Sequence, residues 1–134
     1  MRFEEVSKRA DEARREGAEV VLVLGLGFVG TAVVANLSRT RKSGRRAFFV
    51  IGLDRDDPAG REKAASLDQG RSPTYADDPS LAGVIAAAAV EPKSVVGTVD
   101  PRCASLADVV VSCINLDLFR ESGQTEALSV PTEG

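Results

Sequence analysis

The stretch Val21-Leu-Val-Leu-Gly25-Leu-Gly27-Phe-Val-Gly30 constrains this chain more than any other. A short run of valine and leucine enters a turn built on three glycines, and a helix-like apolar segment leaves it. In a G-x-G-x-x-G turn each glycine has its own task. Gly25 permits the tight bend, Gly27 lets a pyrophosphate approach the backbone, and Gly30 lets the next helix pack closely on the strand. With the amides of Leu26, Phe28 and Val29, the loop offers free N–H groups and the positive end of a helix dipole to those phosphates.

An acid at the end of the next strand strengthens the reading. Ala47-Phe-Phe-Val-Ile-Gly-Leu-Asp54 reads as a second buried strand ending in a carboxylate, 24 positions after Gly30. Spacings of about 20 are usual, and the polar insert from Ser38 to Arg46 accounts for the excess. Asp54 can accept hydrogen bonds from adenosine ribose hydroxyls and would repel a 2′-phosphate, which favours NAD over NADP. Arg55, on the same rim, could stack on adenine or pair with a 2′-phosphate, so NADP stays open. The competing reading gives the glycines a packing role alone, with Asp54 as a cap.

Hydrophobic periodicity orders the remaining elements. Phe3, Val6, Ala10 and Ala13 recur at helical spacing within 3–17. Strands are expected at 19–24, 47–53, 93–98 and 108–114, with helices at 28–39, 59–69 and 81–90 and a short one at 101–107. Pro58 and Gly70 punctuate the third helix. Strands alternating with helices imply an α/β fold, a Rossmann-type doubly wound parallel sheet in three α/β/α layers. The expected strand order is 3-2-1-4, with the cofactor crossing the carboxyl ends of the strands. Thr98 and Ile114-Asn115 end strands on that rim. The expected organisation is a helical extension over 1–18, a dinucleotide-binding domain over 19–116, and a polar tail or linker over 117–134.

Composition narrows the alternatives. A net charge of −3 offers no general attraction for nucleic acid or an anionic membrane surface. No apolar run reaches membrane-span length and the N-terminus is charged, so a cytoplasmic setting is expected. The chain has no histidine, which rules out histidine triads and histidine metal sites. Cys103 and Cys113 do not make a disulfide framework.

At these residues the chain resembles the UDP-glucose/GDP-mannose dehydrogenase family, in its N-terminal NAD-binding domain. The matching pieces are Gly25-Leu-Gly-Phe-Val-Gly30, Gly52-Leu-Asp54, Gly70-Arg-Ser-Pro73, Thr98-Val-Asp100 and Ala107-Asp-Val-Val-Val-Ser-Cys-Ile114, in that order, within residues 19–129. The resemblance implies an NAD-binding domain of a nucleotide-sugar 6-dehydrogenase, an oxidoreductase that turns a sugar C6 alcohol into a carboxylate through a cysteine-bound intermediate. It implies that residues 25–30 wrap the pyrophosphate, Asp54 holds the ribose, Arg55 lies along the adenine, and Thr98 and Asn115 sit near the cofactor. Where the family reads Val-Pro-Thr-Pro, this chain reads Ile114-Asn-Leu-Asp117. The family's catalytic cysteine and sugar-binding domain fall beyond residue 134, so no catalytic residue is expected here and a nucleotide sugar only with that domain present. A stand-alone NAD-binding regulatory module, or the cofactor domain of another Rossmann dehydrogenase, remains the alternative.

Other features have plain readings. The basic run Arg39, Arg41, Lys42, Arg45 and Arg46 lies on a helix-to-strand connection, away from the cofactor rim, and reads as a solvated loop. Cys113 reads as a small hydrophobe in a strand, and Cys103 as a packing residue, the competing reading being a thiol whose pKa is lowered by Arg102. Asp78 before Pro79 reads as a turn or helix-start residue. The fourth strand would form a sheet edge, covered by the tail, by the first helix or by a second copy in a homodimer.

Overall fold

The computed structural model describes residues 1–74 and 79–114. Helix α1 covers Phe3–Arg15 and leads into β1, Glu19–Leu24. Helix α2, Phe28–Ser38, is followed by two short strands, β2 (Arg41–Lys42) and β3 (Arg45–Arg46), and then by β4, Phe48–Leu53. Helices α3 (Pro58–Asp68) and α4 (Pro79–Ala88) precede β5, Val95–Thr98. A 3₁₀ helix over Pro101–Leu106 leads to β6, Val109–Ser112.

The main sheet has the order β5-β4-β1-β6, every neighbouring pair parallel, which is the expected 3-2-1-4. Its centre is β1 on β4, with Glu19 opposite Phe48 through to Leu24 opposite Leu53. Both strands are nearly unbroken apolar runs because both faces are covered. On one face Val6, Ala10 and Ala13 of α1 pack against Val20, Leu22, Phe49 and Ile51. On the other, Val34 and Ala35 of α2, Leu67 of α3 and Ile85 of α4 meet Val21, Val23 and Val50. Helices therefore flank the sheet on both sides, as in a doubly wound α/β fold.

Local chemistry fixes the helix ends. Asp57 caps α3 by accepting from the Gly60 amide at 2.7 Å, and Pro58 opens the helix. Gly97 lets α3 lie directly on β5: a Cβ there would come 2.2 Å from the Ala64 carbonyl oxygen. The chain start is tied to the same corner. The Met1 ammonium donates to Asp68 Oδ2 at 2.9 Å and to the Gly97 carbonyl at 2.7 Å.

The basic insert differs from expectation. It forms an antiparallel hairpin rather than a plain loop, because Ser43 and Gly44 both take left-handed φ, 55° and 78°. That geometry suits a two-residue turn between right-twisting strands. Helix α1 stops two residues before the expected end, and Gly17 at φ 93° turns the chain into β1. Helix α4 runs two residues earlier than expected at both ends. Asp77, Asp78, Asn115 and the tail from 117 lie outside the described residues. Among those described, no helix is long and apolar enough to cross a membrane.

Candidate functional site

The carboxyl ends of β1 and β4 meet at the glycine turn. The Gly25 amide continues the ladder, donating to the Leu53 carbonyl at 2.9 Å. Gly25 itself sits at φ 99°, a conformation side chains rarely adopt, and a Cβ there would come 3.0 Å from the Cys113 carbonyl oxygen. Leu26 then turns fully inward, into space that Gly52 leaves open beneath it. At Gly30 a Cβ would fall 1.7 Å from the Gly25 carbonyl oxygen. Two of the three glycines are therefore demanded by the protein's own packing.

Gly27 is not. Its φ of −81° is open to any residue, and an added Cβ would meet nothing within 4 Å. Gly27 is also the N-cap of α2, where it supplies no side-chain cap, and the first turn of the helix holds no acid. Among the described residues, no group accepts a hydrogen bond from the amides of Gly27, Phe28 and Val29. The first N–H groups of a helix need partners from outside it, and these face open space with the positive end of the helix dipole. Phe28 and Val29 stand beside them, 70% and 65% exposed.

Asp54 faces the turn. Its Oδ2 accepts from the Leu26 amide at 2.9 Å, so that amide, expected to be free for phosphate, is taken by the protein, and its Oδ1 accepts from the Arg55 amide at 2.7 Å. Beside the turn and the acid lies a cavity of about 240 Å³, lined by Gly25, Leu26, Gly27, Asp54, Arg55 and Lys63. Leu24 and Ile114 also line it. Arg55 is almost free in solvent, held loosely by Asp57 at 3.4 Å. A larger depression of about 570 Å³ lies at the amino ends of the strands, between Arg14 and Lys42, and holds no residue of the glycine turn.

Residues 25–30, Asp54 and Arg55 are thus brought together. Lys63 was not anticipated. It reaches the cavity because α3 begins at the rim, where Gly60 packs against the Arg55 carbonyl. The capped, proline-opened start of α3 was the signal in the sequence that could have located it. Thr98 ends β5 beside Asp54, and its carbonyl accepts from the Asp54 amide at 3.1 Å. Its buried hydroxyl is engaged elsewhere, donating to the Met1 carbonyl at 2.8 Å and accepting from the Asp100 amide at 3.1 Å. Asn115 lies beyond the described residues.

The cysteines have other roles. Cys103 is fully buried, and desolvation pushes its thiol above the ordinary range. Arg102 does not activate it. That guanidinium is committed to Asp100 at 2.6 Å, which draws the Asp100 carboxyl down, and it lies 4.6 Å from the centre of the Phe3 ring. Cys113 is half-buried behind Gly30.

No family model matches the chain, and no curated protein does. Among solved structures it is similar to the crystal structure of NDP-N-acetyl-D-galactosaminuronic acid dehydrogenase from Methanosarcina mazei Go1, with a TM-score of 0.63 and 25% identity. The match covers 81% of this chain and 22% of that one, so the chain spans about a fifth of the neighbour's length. The chain has a Rossmann-like parallel α/β fold, and a nucleotide-sugar dehydrogenase is among the proteins that share it.

Proposed function

We propose that this chain is the NAD-binding portion of a nucleotide-sugar dehydrogenase, of the UDP-glucose/GDP-mannose type, with sugar chemistry supplied by protein outside these residues. One observation carries the reading: Gly27 is a glycine that no internal contact requires, set where a helix presents unpartnered amides. A diphosphate seated there would satisfy the donors that the protein leaves open. Asp54, bonded to that turn through the Leu26 amide and lining the same cavity, is set to accept from ribose hydroxyls, and Arg55 and Lys63 supply positive charge along the rim. The Phe28 ring stands exposed beside the phosphate position. The same carboxylate disfavours a 2′-phosphate, so NAD is the expected partner.

Calorimetric titration of the chain with NAD, NADP and ADP-ribose tests this. NAD and ADP-ribose should bind with similar affinity, because the contacts named lie on the adenosine diphosphate half, and NADP should bind more weakly. Asp54→Ala should weaken NAD by about tenfold or more, since a charged acceptor is lost. Equal affinity in wild type and variant would remove the ribose role. Absence of any heat with both NAD and ADP-ribose would remove the cofactor reading itself.

A further inference from the structure

The basic insert is a built feature that dinucleotide binding leaves unused. Its hairpin sets Arg41 opposite Arg46 and Lys42 opposite Arg45. Both cross-strand pairs are cation against cation, an arrangement that destabilises a hairpin. Glu16 compensates Arg46 at 3.0 Å. Arg39, Arg41, Lys42 and Arg45 have no carboxylate partner among the described residues; Arg41 donates to the Ser38 carbonyl at 3.0 Å and Arg39 to Asn36 Oδ1 at 2.9 Å, neutral acceptors that leave the charge unbalanced. Positions that break a local stability rule without a balancing charge are where a function is to be sought.

Beside the hairpin, α4 and the residues after it enclose two adjoining clefts of about 500 and 330 Å³, which share Arg41, Ala87 and Ser94. Their floor is aliphatic, formed by Val84, Ala87 and Val90, and Val90 is 67% exposed. Their rim is cationic. Among the described residues two carboxylates also line the larger cleft, and both are paired, Glu16 with Arg46 and Glu91 with Arg9, each at 3.0 Å. Among the described residues no aromatic ring lines either cleft, so none of them offers a nucleobase a stacking platform. Forked guanidinium groups match carboxylates two bonds at a time, and an aliphatic floor matches leucine or valine.

We propose that this groove docks an acidic, aliphatic-rich peptide segment of a partner protein. One aliphatic side chain would rest on Val90 and its flanking carboxylates on Arg41 and Arg45. The groove lies at the amino ends of the strands, away from the glycine turn, so the assignment does not depend on the cofactor reading.

Fluorescence anisotropy of the full chain with a dye-labelled peptide of alternating glutamate and leucine tests the proposal, beside an oligothymidine of equal charge. The peptide should bind saturably at one per chain and weaken as salt is raised. The double variant Arg41→Glu/Arg45→Glu should lose about tenfold or more in affinity. Its thermal midpoint should change little, because relief of the like-charge pairs offsets loss of the Arg41 bond to the Ser38 carbonyl. Val90→Ser, which alters no charge, should also weaken the peptide. The proposal is overturned by no peptide binding to wild type, by undiminished binding to either variant, or by tighter binding of the oligothymidine.

Discussion

At the residue scale, the three glycines of one turn separate into two kinds, and substitution should tell them apart. Gly30→Ala places a methyl group inside contact distance of the Gly25 carbonyl. Helix α2 must shift, at a cost of roughly 1–3 kcal/mol or more in a denaturant melt. At Gly27 an added Cβ meets nothing within 4 Å, so Gly27→Val should lower stability by only about 1 kcal/mol, the price of a poorer N-cap. NAD binding should nevertheless vanish in calorimetry, because the side chain occupies the phosphate position. A variant that still binds NAD would return Gly27 to a purely structural role. Asp108 carries a different kind of prediction. Its Oδ2 accepts from the Val20 amide at 2.9 Å, and its Oδ1 accepts from Arg14 at 3.2 Å. The amide bond first, and Arg14 second, hold this carboxyl below the ordinary range. A depressed folded pKa means that the unfolded chain binds more protons. The stabilisation is therefore complete above the ordinary Asp value of about 4 and disappears as pH falls through the lowered one. Asp108→Asn should be less stable at neutral pH and should lose part of the acid dependence below about pH 4. Urea melts across that range would show it, and parallel acid limbs in variant and wild type would discard the assignment.

At the scale of elements, α1 is an integral side of the core. Its buried Val6, Ala10 and Ala13 cover Val20, Leu22, Phe49 and Ile51. Deleting residues 1–17 should uncover that face of the sheet and abolish cooperative unfolding, read by circular dichroism and by dye binding to the exposed apolar surface. Retention of a sharp transition would show that the sheet holds without it. Much of this level was legible in the sequence because its signals are local. The 3.6-residue period marked α1, the valine and leucine runs marked β1 and β4, and Pro58 and Gly70 bracketed α3. The hairpin was missed for a physical reason. With two residues per strand and every side chain charged, it has no apolar alternation to read, and only Ser43-Gly44 hints at the turn. Thr98 shows the opposite limit. Its place at the end of β5 followed from topology, whereas the partner of its hydroxyl, the carbonyl of Met1, is 97 residues away and left no trace in spacing. Lys63 likewise needed the packing of α3 on the rim before it could be placed.

For the molecule as a whole, strand order was legible because right-handed crossovers leave few arrangements for four alternating strands. What flanks the last strand was not. Among the described residues β6 pairs only with β1, and Val109 and Val110 are 42% and 51% exposed. Val109–Ser112 lacks the lysine, proline or inward charge that blunts a free edge. Self-association that rises with concentration is therefore expected in sedimentation experiments, and Val110→Lys should reduce it. Indifference to that change would mean the edge is not the contact. The parallel sheet has one more consequence. Its two longest strands have six residues each, so the ends of the sheet stand roughly 20 Å apart. A dinucleotide at one end and an acidic segment at the other would share no atom and would not compete for space. Helix α2 joins the two directly, from its N-cap Gly27 at the turn to Ser38 and Arg39 at the cleft, and, equilibrium binding being reciprocal, any influence of one on the affinity of the other would be of equal size in both directions.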